Sequence, residues 1–158
     1  MPVYDVNQIK ELIPHRFPFL LVDRIITLEE NRCVGLKNFT ANESFSQEYF
    51  GGIYLMQGIL QIEAMAQVAA VMIASSGRHI GQLAYFSTFE RIRFRRPVVP
   101  GDQLILDVTM ERARTRAYRF RGRCLVDGEV ACEARFACML APTEAVEDKG
   151  GDNVSSTD

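Results

Sequence analysis

Leu55-Met-Gln-Gly-Ile-Leu-Gln-Ile-Glu-Ala-Met-Ala-Gln-Val-Ala-Ala-Val-Met-Ile-Ala74 is a run of twenty residues with a single ionisable side chain, Glu63. Its length and composition predict a helix from Gln57 to Ser75 or Ser76, stopped near Gly77. A helix apolar around most of its circumference belongs inside a core. Three glutamines and the Glu interrupt the run, which argues against a membrane span. A carboxylate buried in such a helix is costly to ionise unless something pairs with it. Glu63 is therefore the first candidate for chemistry. A lone Glu also fits a helix edge, or a core position satisfied by one hydrogen bond. Gln67 lies one turn on, on the same face, and Gln57, Gly58 and Gln61 lie near the start of the run. Polar groups converging on one stripe suggest the floor of a pocket.

Outward from this helix the chain reads mainly as strands. Asp5 can cap a short helix through Leu12 that Pro14 ends. Phe19 to Leu28 and Arg32 to Thr40 read as strands joined by a turn at Glu29, Glu30 and Asn31. Residues from Asn42 to Tyr54, with Gly51 and Gly52, read as irregular. Beyond the helix, Leu83 to Arg95 and Gln103 to Arg114 are long strand candidates. Ala117 to Leu140 splits into two at Asp127-Gly128, a two-residue hairpin signal. Arg119, Arg121 and Arg123 then share one face, while Tyr118, Phe120 and Cys124 take the other. The plan is α+β: an antiparallel sheet curled around one long buried helix, with a partner subunit on the side left open. One domain over residues 1–142 and a mobile acidic tail over 143–158 are expected.

The chain of 158 residues has a net charge of −2 that conceals an asymmetry. Glu144, Glu147, Asp148, Asp152 and Asp158 against Lys149 give the tail −4, and leave +2 on the body. Between Arg91 and Arg123, ten arginines face Asp102, Asp107 and Glu111, a local +7. Such a surface attracts an acidic protein or a polyanion; a solvated strand face decorated with Arg is the plainer reading. No recognised nucleic-acid motif accompanies the charge. Cys33, Cys124, Cys132 and Cys138 lack metal-ligand spacing, so neither a zinc site nor a disulfide framework is expected, and no cofactor motif is visible. With no charged-then-apolar leader after Met1, the expectation is a cytoplasmic protein with reduced thiols.

Five motifs occur in order: Leu12-Ile-Pro-His-Arg-Phe-Pro-Phe-Leu-Leu-Val-Asp23, Lys37-Asn-Phe-Thr-Ala-Asn-Glu43, Glu63-Ala-Met-Ala-Gln67, Arg93-Phe-Arg-Arg-Pro-Val-Val-Pro-Gly-Asp102 and Val126-Asp-Gly128. Together, over residues 8–140, they resemble the (3R)-hydroxyacyl-[acyl-carrier-protein] dehydratases of bacterial fatty-acid synthesis, which have the hotdog fold. The resemblance implies syn elimination of water from a 3-hydroxyacyl thioester on acyl carrier protein, giving the trans-2-enoyl thioester. In that family a loop histidine removes the C2 proton, and a helix glutamate from the other subunit protonates the departing hydroxyl. Backbone N–H groups at the helix start polarise the thioester carbonyl. Carried over, the glutamate is Glu63, its water-ordering neighbour is Gln67 and the helix-start donor is Gly58. The implied partner is acyl carrier protein bearing an acyl-phosphopantetheine, received by Arg93, Arg95 and Arg96, with Arg119 and Arg121 as further candidates. A homodimer or trimer of dimers is implied. Phe50, Ile53, Tyr54, Met65 and Phe86 are candidates for the acyl tunnel, with core packing the alternative for each.

One element of the family pattern is absent. The family's loop reads Gly-His-Phe-Pro-Gly, one further residue, then Pro-Val-Met-Pro-Gly; this chain has Glu48-Tyr-Phe-Gly-Gly-Ile-Tyr-Leu-Met-Gln-Gly58. Tyr49 stands at the histidine position, and Gly51, Tyr54 and Gln57 replace prolines, which predicts a looser, bulkier loop and an unusual acyl preference. The two histidines are His15, at a family position of structural role, and His79, beyond the helix. A phenol with a pKa of about 10 is a poor resting base but a good hydrogen-bond donor. Three readings follow: a working dehydratase in which Glu63 moves both protons and Tyr49 donates a hydrogen bond; a His-lacking subunit that pairs with a hotdog paralogue; or a subunit that binds the acyl carrier without turnover. Acyl-thioester hydrolysis is a further enzyme alternative.

Overall fold

The computed structural model describes residues 3–44, 47–49, 52–77 and 82–142. The tail at 143–158, His79, Gly51 and Phe50 lie outside the described residues, as do the side chains of Tyr49 and Ile53.

Helix α1 spans Val6–Leu12, and Asp5 caps it as expected. The Asp5 carboxylate accepts from Asn7 N and Gln8 N, while the Gln8 side chain accepts from Asp5 N, a reciprocal capping box. Strands β1 (Arg24–Leu28) and β2 (Arg32–Asn38) follow, closed by the bond from Glu29 N to Arg32 O. A short hairpin comes next, β3 (Gln47–Tyr49) with β4 (Ile53–Leu55), and then α2 (Gly58–Ser75). Strands β5 (Gln82–Phe94), β6 (Gln103–Ala113), β7 (Ala117–Val126) and β8 (Glu129–Pro142) complete the chain. The main sheet is antiparallel throughout, in the order β1-β2-β6-β7-β8-β5. Asp127 and Gly128, with φ of 52° and 80°, form the tight turn between β7 and β8 that the dipeptide predicts.

The sheet wraps α2. Eleven of the helix's eighteen residues are buried, against β2, β6, β7 and β8, so its apolar surface faces protein around most of its circumference. By length and composition α2 is apolar enough to cross a bilayer; here 61% of it is buried inside the domain. The strand alternation follows from this wrapping. Leu104, Leu106 and Val108 of β6 and Tyr118, Phe120 and Cys124 of β7 point at the helix, while Arg119, Arg121 and Arg123 face out. All four cysteines are buried and unpaired.

Two segments differ from the sequence reading. Residues 19–23 do not join the strand that runs to Leu28: the Phe19 carbonyl and the Leu21 amide bond to a helix side chain, and ladder-like pairing begins only at Asp23 N, which donates to Leu36 O. A buried side-chain amide thus competes successfully for backbone groups that a strand would use. Within 42–54, read as irregular, β3 and β4 pair locally, with Tyr49 opposite Ile53, and Met56 N donates to Val98 O to fix the approach to α2.

Close approach of helix and sheet depends on two glycines. A Cβ on Gly35 would lie 2.5 Å from Val68 Cγ2 and 3.3 Å from Val22 Cγ1, and one on Gly122 would lie 2.6 Å from Met65 Sδ. Neither short, branched valine can retreat. Gly35→Val is expected to destabilise the fold by about 1–3 kcal/mol through overpacking, measured as a lower urea midpoint with the slope unchanged.

Asp107 ties three strands together on the outer face. It accepts from Arg32 Nε of β2 at 2.9 Å and from Arg123 of β7 at 2.9 Å. Partial burial alone would push its carboxyl pKa up; the two guanidinium hydrogen bonds and charges outweigh this and hold it below the usual carboxylate value. A depressed folded-state pKa means stabilisation that is present above the unfolded value of about 3.9 and is lost as pH falls through the folded one. Asp107→Asn is therefore expected to cost about 1–2 kcal/mol at pH 7, with exposed Arg partners limiting the figure. The gap between variant and wild type should close in denaturation curves taken below pH 4.

Candidate active site

Glu63 sits on α2 with its side chain 17% exposed, one turn before the buried Gln67. The Gln67 amide is fully engaged. Its Oε1 accepts from Leu21 N at 2.8 Å, and its Nε2 donates to Phe19 O at 2.8 Å and to Glu63 Oε1 at 3.0 Å. With both donors committed inside the protein, Gln67 holds Glu63 and the 19–21 segment in place. That differs from the water-ordering role expected of it.

The same tether brings the Pro14-His-Arg16 segment onto the helix. His15 Nε2 lies 3.4 Å from Glu63 Oε1. Arg16 secures the segment from the other side, donating to Ile13 O, His15 O and Lys10 O at 2.7–2.9 Å and so satisfying the end of α1. The sequence pointed to a structural place for His15, and its contact with Glu63 was missed. Helical spacing joins Glu63 to Gln67, but nothing local joins either to residue 15. The available signal was that His15 lies in the motif whose next residues, Phe19 and Leu21, Gln67 binds.

Gly58 occupies a second location. It lines a cavity of about 580 Å³ with Met56, Gln61, Ile62, Phe94 and Arg96. A Cβ there would lie 2.4 Å from the Phe94 ring, so the ring packs directly on the helix start. Gln57 precedes α2 without a side-chain cap bond to the first backbone N–H groups, which lie at the positive end of the helix dipole. Five residues separate Gly58 from Glu63, which is about 140° around the helix and about 7.5 Å along it. One chain therefore presents the two groups on different faces.

The remaining candidates fall in several places. Met65 is fully buried against Gly122 and Phe136, which makes it a core residue rather than a tunnel wall. Phe86 is half-buried, 4.5 Å from the Phe89 ring and 5.8 Å from Phe136. Tyr54 is 43% exposed on β4. The backbone of Tyr49 lies on β3. Arg95 and Arg96 border the Gly58 cavity and pair with Glu133 (2.6 Å) and Glu129 (3.3 Å) of β8. Arg93 is exposed beside Arg91, Arg121, Arg123 and Arg135 around a cleft of about 480 Å³.

The chemistry open to this site is proton transfer. Burial, with the charge of Glu63 adding to it, pushes the Cys138 thiol up to about 12, so this neighbour is no thiolate nucleophile at neutral pH. Among the described residues no three His, Cys, Asp or Glu side chains converge as metal ligands.

Comparison with known proteins places the chain. Residues 13–135 match the FabA-like domain family. The 3-hydroxyacyl-[acyl-carrier-protein] dehydratase FabZ of Pelotomaculum thermopropionicum is 51% identical over 133 residues, 84% of this chain and 95% of that protein. The FabZ proteins of Escherichia coli O9:H4 and Exiguobacterium sibiricum are 48% and 50% identical, over 84% and 87% of this chain and 90% and 99% of theirs. Among solved structures, the dehydratase heterocomplex ApeI:P from Xenorhabdus doucetiae superposes with a TM-score of 0.77 at 16% identity, covering 96% of this chain and 99% of that one. A hypothetical thioesterase from Streptococcus pneumoniae gives 0.58 at 13% identity, covering 75% and 84%, a likeness of fold alone. The chain has the fold of these proteins and belongs to the FabA-like family, among the FabZ-type 3-hydroxyacyl-[acyl-carrier-protein] dehydratases.

Proposed function

We propose that this chain dehydrates a (3R)-3-hydroxyacyl thioester on acyl carrier protein to the trans-2-enoyl thioester, in the cytoplasm, as a step of fatty-acid or related lipid synthesis. The observation that carries the reading is Glu63, anchored through Oε1 by Gln67 and His15 while Oε2 has no recorded partner among the described residues. In a syn elimination both protons move on one face of the substrate, so one carboxylate can serve both. Oε2 takes the C2 proton, the C2–H electron pair forms the double bond, and the C3–O bond breaks. The departing oxygen receives that proton and leaves as water.

The active unit is a homodimer. Gly58 and Glu63 look out from different faces of α2, so the open helix start of one subunit and the carboxylate of the other complete a site between two chains. The thioester carbonyl accepts from the N–H groups at Gly58. Tyr49 donates a hydrogen bond to the carbonyl or hydroxyl from the loop before α2. The domain is residues 1–142, with 143–158 as its acidic tail. A second reading, in which a hotdog paralogue supplies the missing loop imidazole, rests on Tyr49 standing at that position; thioester hydrolysis has no such support.

The test follows loss of water by mass, with purified chain and 3-hydroxyacyl-carrier substrate. Glu63→Gln is expected to reduce turnover by about 10²–10⁴-fold, the usual worth of a general acid–base. Tyr49→Phe should lower it as well; unchanged turnover in that variant removes the phenol from the mechanism. Turnover only after mixing with a second hotdog subunit would replace the homodimer by the heteromer, and carrier binding without turnover in any mixture would leave a non-catalytic subunit.

The carrier protein is received by Arg93, Arg95 and Arg96. Acidic partners bind such rims with an electrostatic, salt-sensitive on-rate. Carrier affinity is expected to fall between low and physiological ionic strength, and Arg93→Glu should weaken binding and flatten that salt dependence, as read by titration calorimetry.

A further inference from the structure

The carboxylate of Glu63 has an asymmetric environment. Its Oε1 accepts from Gln67 Nε2 at 3.0 Å and lies 3.4 Å from His15 Nε2, and no partner for Oε2 is recorded among the described residues. The imidazole is held on both sides in sequence. Arg16 clamps the His15 carbonyl and the end of α1, and Gln67 binds the backbone at Phe19 and Leu21. The other ring nitrogen, Nδ1, is buried without a hydrogen-bond partner. A proton on Nδ1 would be a buried donor with no acceptor, so the neutral ring carries its hydrogen on Nε2, toward Glu63. Gln67 donates to that oxygen, and the His15 Nε2–H faces the same oxygen at 3.4 Å.

We propose that His15 is a positioning residue for Glu63: its Nε2–H fixes Oε1, so that Oε2 is the oxygen that receives and returns the proton. This rests on the dehydratase reading of the site. His15 acts through Glu63 and makes no contact with the reacting atoms. A hydrogen bond from a neutral imidazole to Oε1 steadies the ionised carboxylate before it takes the C2 proton. It also directs the acid form to carry its proton on Oε2, where the departing oxygen collects it. The imidazole beside the carboxylate comes from the segment after α1 of the same subunit, independently of the residue at position 49.

The test pairs kinetics with the nitrogen spectrum of the imidazole. His15→Phe keeps a ring and loses the donor; it is expected to lower kcat by about 10- to 100-fold, the worth of a hydrogen bond to a charged group, with KM little changed. His15→Gln supplies a neutral N–H at a similar reach and is expected to recover most of that loss. Unchanged kcat in the Phe variant overturns the proposal, and so does a loss of kcat and thermal stability that Gln fails to reverse. The chain has two histidines, so His15→Gln assigns the ¹⁵N imidazole signals without ambiguity. In the wild type the His15 signals should be those of the Nε2–H tautomer, and Glu63→Gln should shift the Nε2 resonance while leaving that of His79 in place. If the wild type turns over no substrate, the dehydratase reading fails, and this spectrum still decides the pairing: a His15 resonance indifferent to Glu63→Gln rules it out.

Discussion

A side-chain amide at 1% exposure must satisfy two donors and an acceptor inside the protein, and Gln67 does so with three groups from two parts of the chain. The Phe19 carbonyl and Leu21 amide make it the anchor of the segment leading into β1. The Glu63 Oε1 bond makes it the support of the one carboxylate on α2. Removing Gln67 would leave the buried Leu21 N–H unpaired, a larger loss than the bond itself, and free the part-buried Phe19 C=O. The position of His15 depends on this amide too, because Phe19 lies only four residues further along. Fold and site therefore share one hydrogen-bond centre, and neither can shift without disturbing the other.

Much of this was legible in the sequence because it is local or periodic. The helix bounds, the Asp5 cap, the Asp127-Gly128 turn and the alternation of β6 and β7 follow from spacing and turn chemistry. Glu63 and Gln67 were found by their i, i+4 relation in an apolar run, which a helix converts directly into contact. Contacts that cross the chain were not legible. The bonds from Gln67 to residues 19 and 21 span 48 and 46 positions, and they turn what reads as the start of a strand into an extended segment bound to a helix. Of the two readings of Met65, tunnel or core, the packing of this chain matches the core one. Its pattern is that of any core methionine, and only the packing of Gly122 against it shows which way it faces.

The outer face shows how a charge cluster reads differently once paired. Arg121 lies opposite Arg135 in the β7–β8 register, a like-charge pairing that disfavours the sheet. Glu111 offsets it, 3.1 Å from Arg135 and 4.0 Å from Arg121, and Asp107 does the same for Arg32 and Arg123. Much of the arginine excess read from the sequence is therefore structural. Arg93 is exposed and lies opposite Glu133 across the β5–β8 ladder, a carboxylate that Arg95 also binds. Such pairing explains why a count of arginines overstates the binding surface: each carboxylate beside a guanidinium subtracts from its long-range attraction.

The proton chemistry proposed for the site also follows from how Glu63 is held. An acid that both accepts and delivers a proton must present the same oxygen twice, with the proton on the substrate side in between. A carboxylate with two equivalent oxygens in water has no such preference. Here Gln67 on the same helix donates to Oε1, and His15, on the segment that Gln67 tethers, lies 3.4 Å from the same oxygen. Protonation at Oε1 would set a hydrogen against two donors, so Oε2 is the favourable position for it. A phenol at residue 49 matters less on these terms, since the carboxylate needs no second base if its free oxygen faces the C2 proton. What it needs is rigidity, and that comes from a glutamine and an arginine whose hydrogen bonds run through the backbone of residues 10–21.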